Sequence, residues 1–394
     1  MRIVLATDSL KGTLGSLEAA ALLEAAAHRH LPGCECVTVP MADGGEGTAQ
    51  AVVAATGGEL RRTRASDPLG RPVEAEWGLL PGGRAIVEMA TASGLTLLSP
   101  TERDPLRTST YGTGELVRAA LDAGARDVTL AVGGSATNDG GMGCLRALGA
   151  RFLDADGREL AGTGADLGHV SSVDLASLDP RMGRIRFRLM CDVTNPLLGP
   201  SGAAAVFAPQ KGADARAVDT LEKGMRSYAG VLEAACGRDP DVPGAGAAGG
   251  LAAGAMALLG ARARSGIECV LELVGFDGLL AGADLCVTGE GRLDAQTAGG
   301  KVVSGVAAAC ARAGVPCVAV VGGVAAGPAP ADSAGSTDIS AGTATCGIEG
   351  LTAVVPTAPG PISLDEALDR APELYAAAAE RLFALVALGR GLAG

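Results

Sequence analysis

Apolar runs that stop abruptly at polar, glycine-rich turns set the rhythm of this chain. Arg2 to Thr7 reads as a strand and ends at Asp8. A helix is expected from about Ser16 to His30. Ser16 stands at a capping position, Leu17, Ala20, Ala21 and Ala27 recur at helical spacing, and Pro32-Gly33 stops it. Cys36 to Met41 reads as a second strand running into another glycine-rich turn. This opening predicts a β-α-β unit with parallel pairing and a right-handed crossover.

The C-terminal third has the same grammar. Asp284 to Thr288 reads as a strand, Lys301 to Ala313 as a helix closed by Gly314 and Pro316, and Cys317 to Val321 as a strand ending in Gly322-Gly323. Leu351 to Val355 reads as a further strand. Ser363-x-x-Glu366 matches a capping box, and Pro372 starts a second helix that ends near Gly389.

The middle alternates instead. Val73 to Leu79 and Arg84 to Met89 read as a hairpin across Pro81-Gly82-Gly83. A helix from Glu115 to Ala123 precedes a strand from Asp127 to Val132, and Arg184 to Met190 alternates again. The expectation is two α/β domains. A Rossmann-like parallel-sheet domain comes from both chain ends, residues 1–66 and 281–394. A mixed α/β domain, residues 67–280, is inserted between them.

Composition narrows the chemistry. The 394 residues carry a formal charge of −12, which argues against nucleic acid or an anionic membrane as the partner. An anionic substrate must then be met by a local cationic patch or a metal ion. Aromatic residues are only 2 %, so the core must be aliphatic and rich in alanine. None of the ten cysteines forms a C-x-x-C pair and there are only three histidines, which gives a Cys/His zinc centre little support. Cysteines within apolar runs read as small buried hydrophobes, consistent with a reducing, cytoplasmic compartment. The first apolar run meets Asp8 too soon for a signal peptide. Val242 to Ala261 is uncharged and long enough to cross a bilayer, but its glycines and Pro243 read as a loop entering a buried helix. His28 and His30 read as cations closing a helix C-terminus, and Trp77 as core.

Five turns hold the candidate chemistry. Parallel α/β sheets bind ligands at the carboxyl ends of their strands, and glycine there lets backbone N–H groups approach phosphate. The turns are Asp8 to Thr13, Pro40 to Thr48, Gly133 to Gly141, Cys191 to Gly199 continuing to Gln210-Lys211-Gly212, and Thr288 to Thr297 continuing to Gly299-Gly300-Lys301. Each also has an ordinary reading, as a connecting loop, an Asx turn or a solvated charged loop. Only four of the 32 cationic side chains are lysine, so Lys11 beside a strand end suggests a need for a compact ammonium. Lys223 reads as a solvated helix residue. The Walker A loop, the protein-kinase signatures and the G-x-S-x-G elbow are absent.

These five turns, in this order, resemble the bacterial glycerate kinase family of the glycerate 2-kinase type from residue 1 to at least 387. Thr7 and Leu10 depart from the residues more usual there, without removing a charge. The resemblance implies ATP-dependent phosphorylation of D-glycerate to 2-phosphoglycerate, with the active site between two α/β domains. On that footing Lys11, Arg292 and Lys301 are expected to meet the triphosphate and the substrate carboxylate. Gly133, Gly134, Gly289 and Gly291, with Glu290, are expected around ATP, and Asp43 and Glu46 at Mg²⁺. Asp192 is the first candidate for general base and Asp294 the second. Ser135, Thr137, Asn138 and Asp139 are expected on glycerate. A kinase for another small hydroxy acid and a non-catalytic small-anion binding protein remain alternatives, and homo-oligomer formation is left open.

Overall fold

A computed structural model of the chain describes residues 1–10, 12–45, 47–293, 301–324 and 347–393. They form two compact units, Met1–Asp43 with Ile267–Gly394, and Gly44–Gly266. The first unit begins with β1 (Arg2–Thr7), α1 (Ser16–His30) and β2 (Glu35–Thr38). The second contributes α2 (Thr48–Thr56), β3 (Glu59–Ser66), β4 (Pro72–Leu80), β5 (Arg84–Glu88), α3 (Tyr111–Asp122) and β6 (Asp127–Ala131). It continues with β7 (Arg186–Met190), α4 (Ala215–Cys236), α5 (Leu251–Leu259) and β8 (Arg262–Arg264). The chain returns to the first unit with β9 (Leu285–Leu293), α6 (Val302–Ala313), β10 (Cys317–Val324), β11 (Ala353–Pro356) and α7 (Ala371–Ala393). Shorter helices and a small hairpin are named by their residues.

The first unit is a five-stranded, wholly parallel sheet in the order β11-β10-β9-β1-β2. Ile3, Leu5, Leu285, Val287, Val318 and Val320 form one core with α1 and α7, which add Leu23, Ala27, Tyr375, Ala379 and Phe383. Helix α6 packs against β9, β10 and β1. Strands covered on both faces can be apolar at every position, which is why Ile3–Ala6 and Cys317–Val321 read as unbroken runs. From β1 the chain moves through α1 to β2 on one side. From β9 it moves through α6 to β10 on the other. The direction of winding therefore reverses between β1 and β9, and the carboxyl ends of these two strands flank the crevice where such sheets take ligands.

The second unit is a mixed sheet in the order β8-β7-β6-β5-β4-β3. Strands β5 to β8 are parallel, and β4 and β3 are antiparallel. The expected hairpin forms as β4 and β5. Trp77 is buried in this unit's core, and its Nε1–H donates to Thr63 Oγ1 at 2.9 Å. Among the described residues no helix is long and apolar enough to cross a membrane. The uncharged stretch from Val242 is a glycine-rich turn followed by α5.

The compact units divide at 43/44 and 266/267, rather than at the expected 66/67 and 280/281. Glu59–Ser66 is the reason for the first difference. It is polar and largely exposed, so it lacks the apolar signal of a strand, yet all eight residues pair with β4. The second difference comes from the helix Gly266–Val274, whose Ile267, Cys269 and Val270 are buried. Gly305 of α6 sits so close to Ile267 that a Cβ there would meet its side chain at 2.5 Å.

Candidate active site

In the first unit a pocket of about 480 Å³ opens at the strand ends where the winding reverses. Its size is that of a small-molecule or cofactor site. Asp8 enters from the end of β1 and Glu290 from β9, both buried, and Asp43 from the segment after β2. Arg292 and Lys301 supply positive charge on the same lining. Asp8 N–H donates to Gly289 O at 2.9 Å, extending the β1–β9 ladder to the pocket, and Ser9 N–H donates to Asp8 Oδ1 at 2.7 Å. Lys301 is the N-cap residue of α6. Its ammonium thus shares the pocket with a helix N-terminus, whose N–H groups and dipole also favour an anion.

Glycine is required where β9 and β10 converge on this pocket. A Cβ on Gly322 would lie 2.4 Å from Gly291 O, so any side chain would force the strands apart. Part of the lining is apolar. Leu364, Ala367 and Leu368 of the short helix Leu364–Asp369, with Leu10 and Val324, form this part. Ser363 caps that helix as the sequence predicts, its side chain accepting from Glu366 N at 3.2 Å.

In the second unit, the turn after β6 is built differently. Thr137, Asn138 and Asp139 have no exposed surface. Asp139 Oδ2 accepts from Thr110 N and Thr110 Oγ1, both at 2.7 Å, and from Gly143 N at 3.2 Å; Oδ1 accepts from Gly141 N at 3.0 Å. Lys211, itself buried, donates through Nζ to Thr137 O at 2.6 Å. Burial pushes the Asp139 carboxyl up. Burial also pushes the Lys211 ammonium down to about 7, against the opposing pull of the Asp139 charge. Gly249 closes the packing, because a Cβ there would stand 2.0 Å from Thr137 O. Buried Thr137 Oγ1 and Asn138 Oδ1 have no partner among the described residues, which is uncommon in an interior.

The expected site residues therefore separate into three groups. Asp43, Gly291, Glu290, Arg292 and Lys301 meet in the first unit's pocket, with Gly289 beside them on β9. In the second unit, Gly133 and Gly134 are exposed and Ser135 is half-buried, whereas Thr137, Asn138 and Asp139 are interior. Of those three, Asp139 bonds within the turn, through Thr110, Gly141 and Gly143. Asp192 is exposed after β7 and accepts from Gly266 N at 2.9 Å. Lys11, Glu46 and Asp294 lie outside the described residues. Lys223 is on the exposed face of α4, paired with Asp219 at 2.7 Å, as expected.

Three residues gain importance that the sequence reading assigns to none of them. Asp8 lines the pocket. Glu88, buried at the end of β5, accepts from Gly47 N at 3.3 Å and Ala49 N at 2.5 Å and so anchors the start of α2. Lys211 holds the second unit's turn. Its signal was available, since it is one of the few lysines in an arginine-biased chain.

Comparison with known proteins agrees with this architecture. The Glycerate kinase family matches residues 3–387. The glycerate kinase of Bacillus subtilis (strain 168) is 42% identical over 392 residues, covering 99% of this chain and 99% of that protein. The glycerate 2-kinase of Escherichia coli (strain K12) is 44% identical over 324 residues, covering 82% of this chain and 85% of that one. The crystal structure of a glycerate kinase 2 from Salmonella typhimurium LT2 superposes with a TM-score of 0.87 at 40% identity, covering 99% of both chains. A two-unit α/β fold with these turns in this order, matched along nearly its whole length, places the chain in the glycerate kinase family of enzymes.

Proposed function

We propose that this kinase transfers the γ-phosphoryl group of ATP to the C2 hydroxyl of D-glycerate, giving 2-phosphoglycerate and ADP. The observation that supports this reading most is the first unit's pocket. Three carboxylates, two cations and a helix N-terminus meet there at the point where the winding of the sheet reverses. Phosphoryl transfer asks mainly for placement and charge neutralisation, and this combination supplies both. Arg292 and Lys301 hold phosphate oxygens, and the apolar lining with Leu364 and Leu368 takes the adenine. Asp43, Asp8 and Glu290 offer the hard oxygen ligands that suit Mg²⁺. When bound, Mg²⁺ neutralises phosphate charge.

The acceptor alcohol must lose a proton. Asp192, exposed and oriented by the Gly266 N–H, is the candidate that takes it. Gly133, Gly134 and Ser135 present the accessible groups for the glycerate carboxylate and hydroxyls. Lys211 and Asp139 keep that turn in shape from behind.

The test is a coupled assay of ADP formation with D-glycerate, L-glycerate and a panel of small hydroxy acids, followed by phosphorus NMR of the product. The expected result is ADP formation that depends on D-glycerate, with product phosphorus coupled to the single C2 proton. Coupling to the C3 methylene would overturn the regiochemistry. Preference for another acid would overturn the substrate, and ATP binding without turnover would overturn the activity.

A further inference from the structure

Outside the pocket, the end of α1 and the start of β2 bring four side chains with metal-binding chemistry together. Cys34 and Cys36 are two apart on extended chain and so share a side. Glu24 and His28 are four apart on α1 and share a helix face. Cys34 Sγ lies 3.9 Å from Cys36 Sγ and 3.5 Å from His28 Nδ1, and the three ligand atoms all lie within 4.8 Å of one another. The other imidazole nitrogen, Nε2, faces Glu24 Oε1 at 3.6 Å.

Geometry and charge both favour a zinc-type ion. Zn–S of about 2.3 Å and Zn–N of about 2.0–2.1 Å in a tetrahedron give edges of about 3.8 Å for S···S and about 3.6 Å for S···N. The structure has 3.9 and 3.5 Å for those edges. Two thiolates and a neutral imidazole balance a dication. A carboxylate on the remote nitrogen is the arrangement that fixes the tautomer and ring orientation of zinc-bound histidines. Cys34 is buried while His28 is 51% exposed, so a fourth position can face solvent. His30 is committed elsewhere, to Glu380 at 2.7 Å. The spacing here is C-x-C completed by a histidine from the preceding helix, which a search for C-x-x-C passes over.

A second group, Cys286, Cys310 and Cys317, also brings three sulfurs within 4.8 Å of one another. It is fully buried and offers neither a nitrogen nor an oxygen ligand among the described residues, so it suits a Zn²⁺ ion less and serves as the comparison site.

We propose that Cys34, Cys36 and His28 form a divalent zinc-type site, with Glu24 orienting the imidazole and a solvent-side fourth ligand. Bound there, the ion clips the last turn of α1 to β2, the strand that leads towards Asp43. The test uses the reduced, chelator-stripped full-length chain, titrated first with Co²⁺ and then with Zn²⁺, without nucleotide. Expected are one equivalent of Co²⁺ with a thiolate-to-cobalt charge-transfer band, and loss of that band on adding one equivalent of Zn²⁺. Cys36→Ser and His28→Ala should each weaken binding about 10-fold or more, and Glu24→Gln about 10-fold, the scale of an outer-shell loss. Cys310→Ser should leave affinity unchanged. Matching far-UV circular dichroism shows that the variants remain folded. Cobalt held by oxygen ligands in the phosphate pocket would give no thiolate band. Absence of the band in the wild type would overturn the proposal. So would a band that survives Cys36→Ser and disappears in Cys310→Ser, which would place the ion at the buried thiols.

Discussion

The two units use the same local grammar, an apolar strand delivering a polar, glycine-rich turn, and obtain different physics from it. In the first unit, Asp43, Arg292 and Lys301 line a pocket that is open to a ligand. In the second, Asp139 and Lys211 have almost no exposed surface and spend their hydrogen-bonding capacity on the protein itself. Charge at a solvent-reachable strand end can be lent to a substrate. Charge that is desolvated and already partnered organises backbone instead, and is costly to disturb. Burial, not residue type, separates the two roles.

The sharpest way to break this contrast is to remove the buried acid. Asp139→Ala strands the N–H groups of Thr110, Gly141 and Gly143, and should cost about 3–5 kcal/mol of stability, read from the urea midpoint. A midpoint equal to the wild type would mean that the turn does not depend on its carboxylate. Next in size is Asp192→Asn, which should lower kcat about 10²-fold or more while melting unchanged. Near-normal turnover in that variant would remove Asp192 as the base. Lys301→Ala should raise the KM for ATP by about 10-fold, the worth of one charge-assisted contact. Its stability should stay within about 0.5 kcal/mol of the wild type, as for an accessible side chain. A large loss of stability would make Lys301 structural.

A further expected effect concerns pH. Lys211 holds its proton less tightly in the fold, at about 7, than at the ordinary 10.5. Between those values the unfolded chain binds more protons than the folded one, so this group's contribution to stability rises with pH across that window. The slope is at most about 1.4 kcal/mol per pH unit. Comparing urea midpoints at the two ends of the window for wild type and Lys211→Met isolates it. Equal pH responses would show that Lys211 does not titrate there.

Much of the first unit was legible in the sequence, because doubly covered parallel strands are apolar throughout and helices between them carry clear stops. β1 and α1 fall on the expected residues. β3 was not legible, since Glu59–Ser66 is an exposed edge strand whose pairing depends on β4 rather than on its own pattern. The candidate site was legible as a set of turns. Whether a given polar residue ends in a pocket or in the interior was not, because burial depends on what packs over it. Thr137 and Asn138 are covered by the glycine turn around Gly249, over a hundred residues away. The cluster of Cys34, Cys36 and His28 escaped for a related reason, as it joins a strand to a helix face.

The most direct test of the central claim is calorimetric titration of ATP with Mg²⁺ into the wild type and into the Arg292→Ala/Lys301→Ala double variant. One nucleotide site is expected in the wild type, weakened about 10²-fold in the double variant by losing two charged phosphate contacts. Equal affinity in the two proteins would contradict this, and would move the nucleotide away from the first unit's pocket.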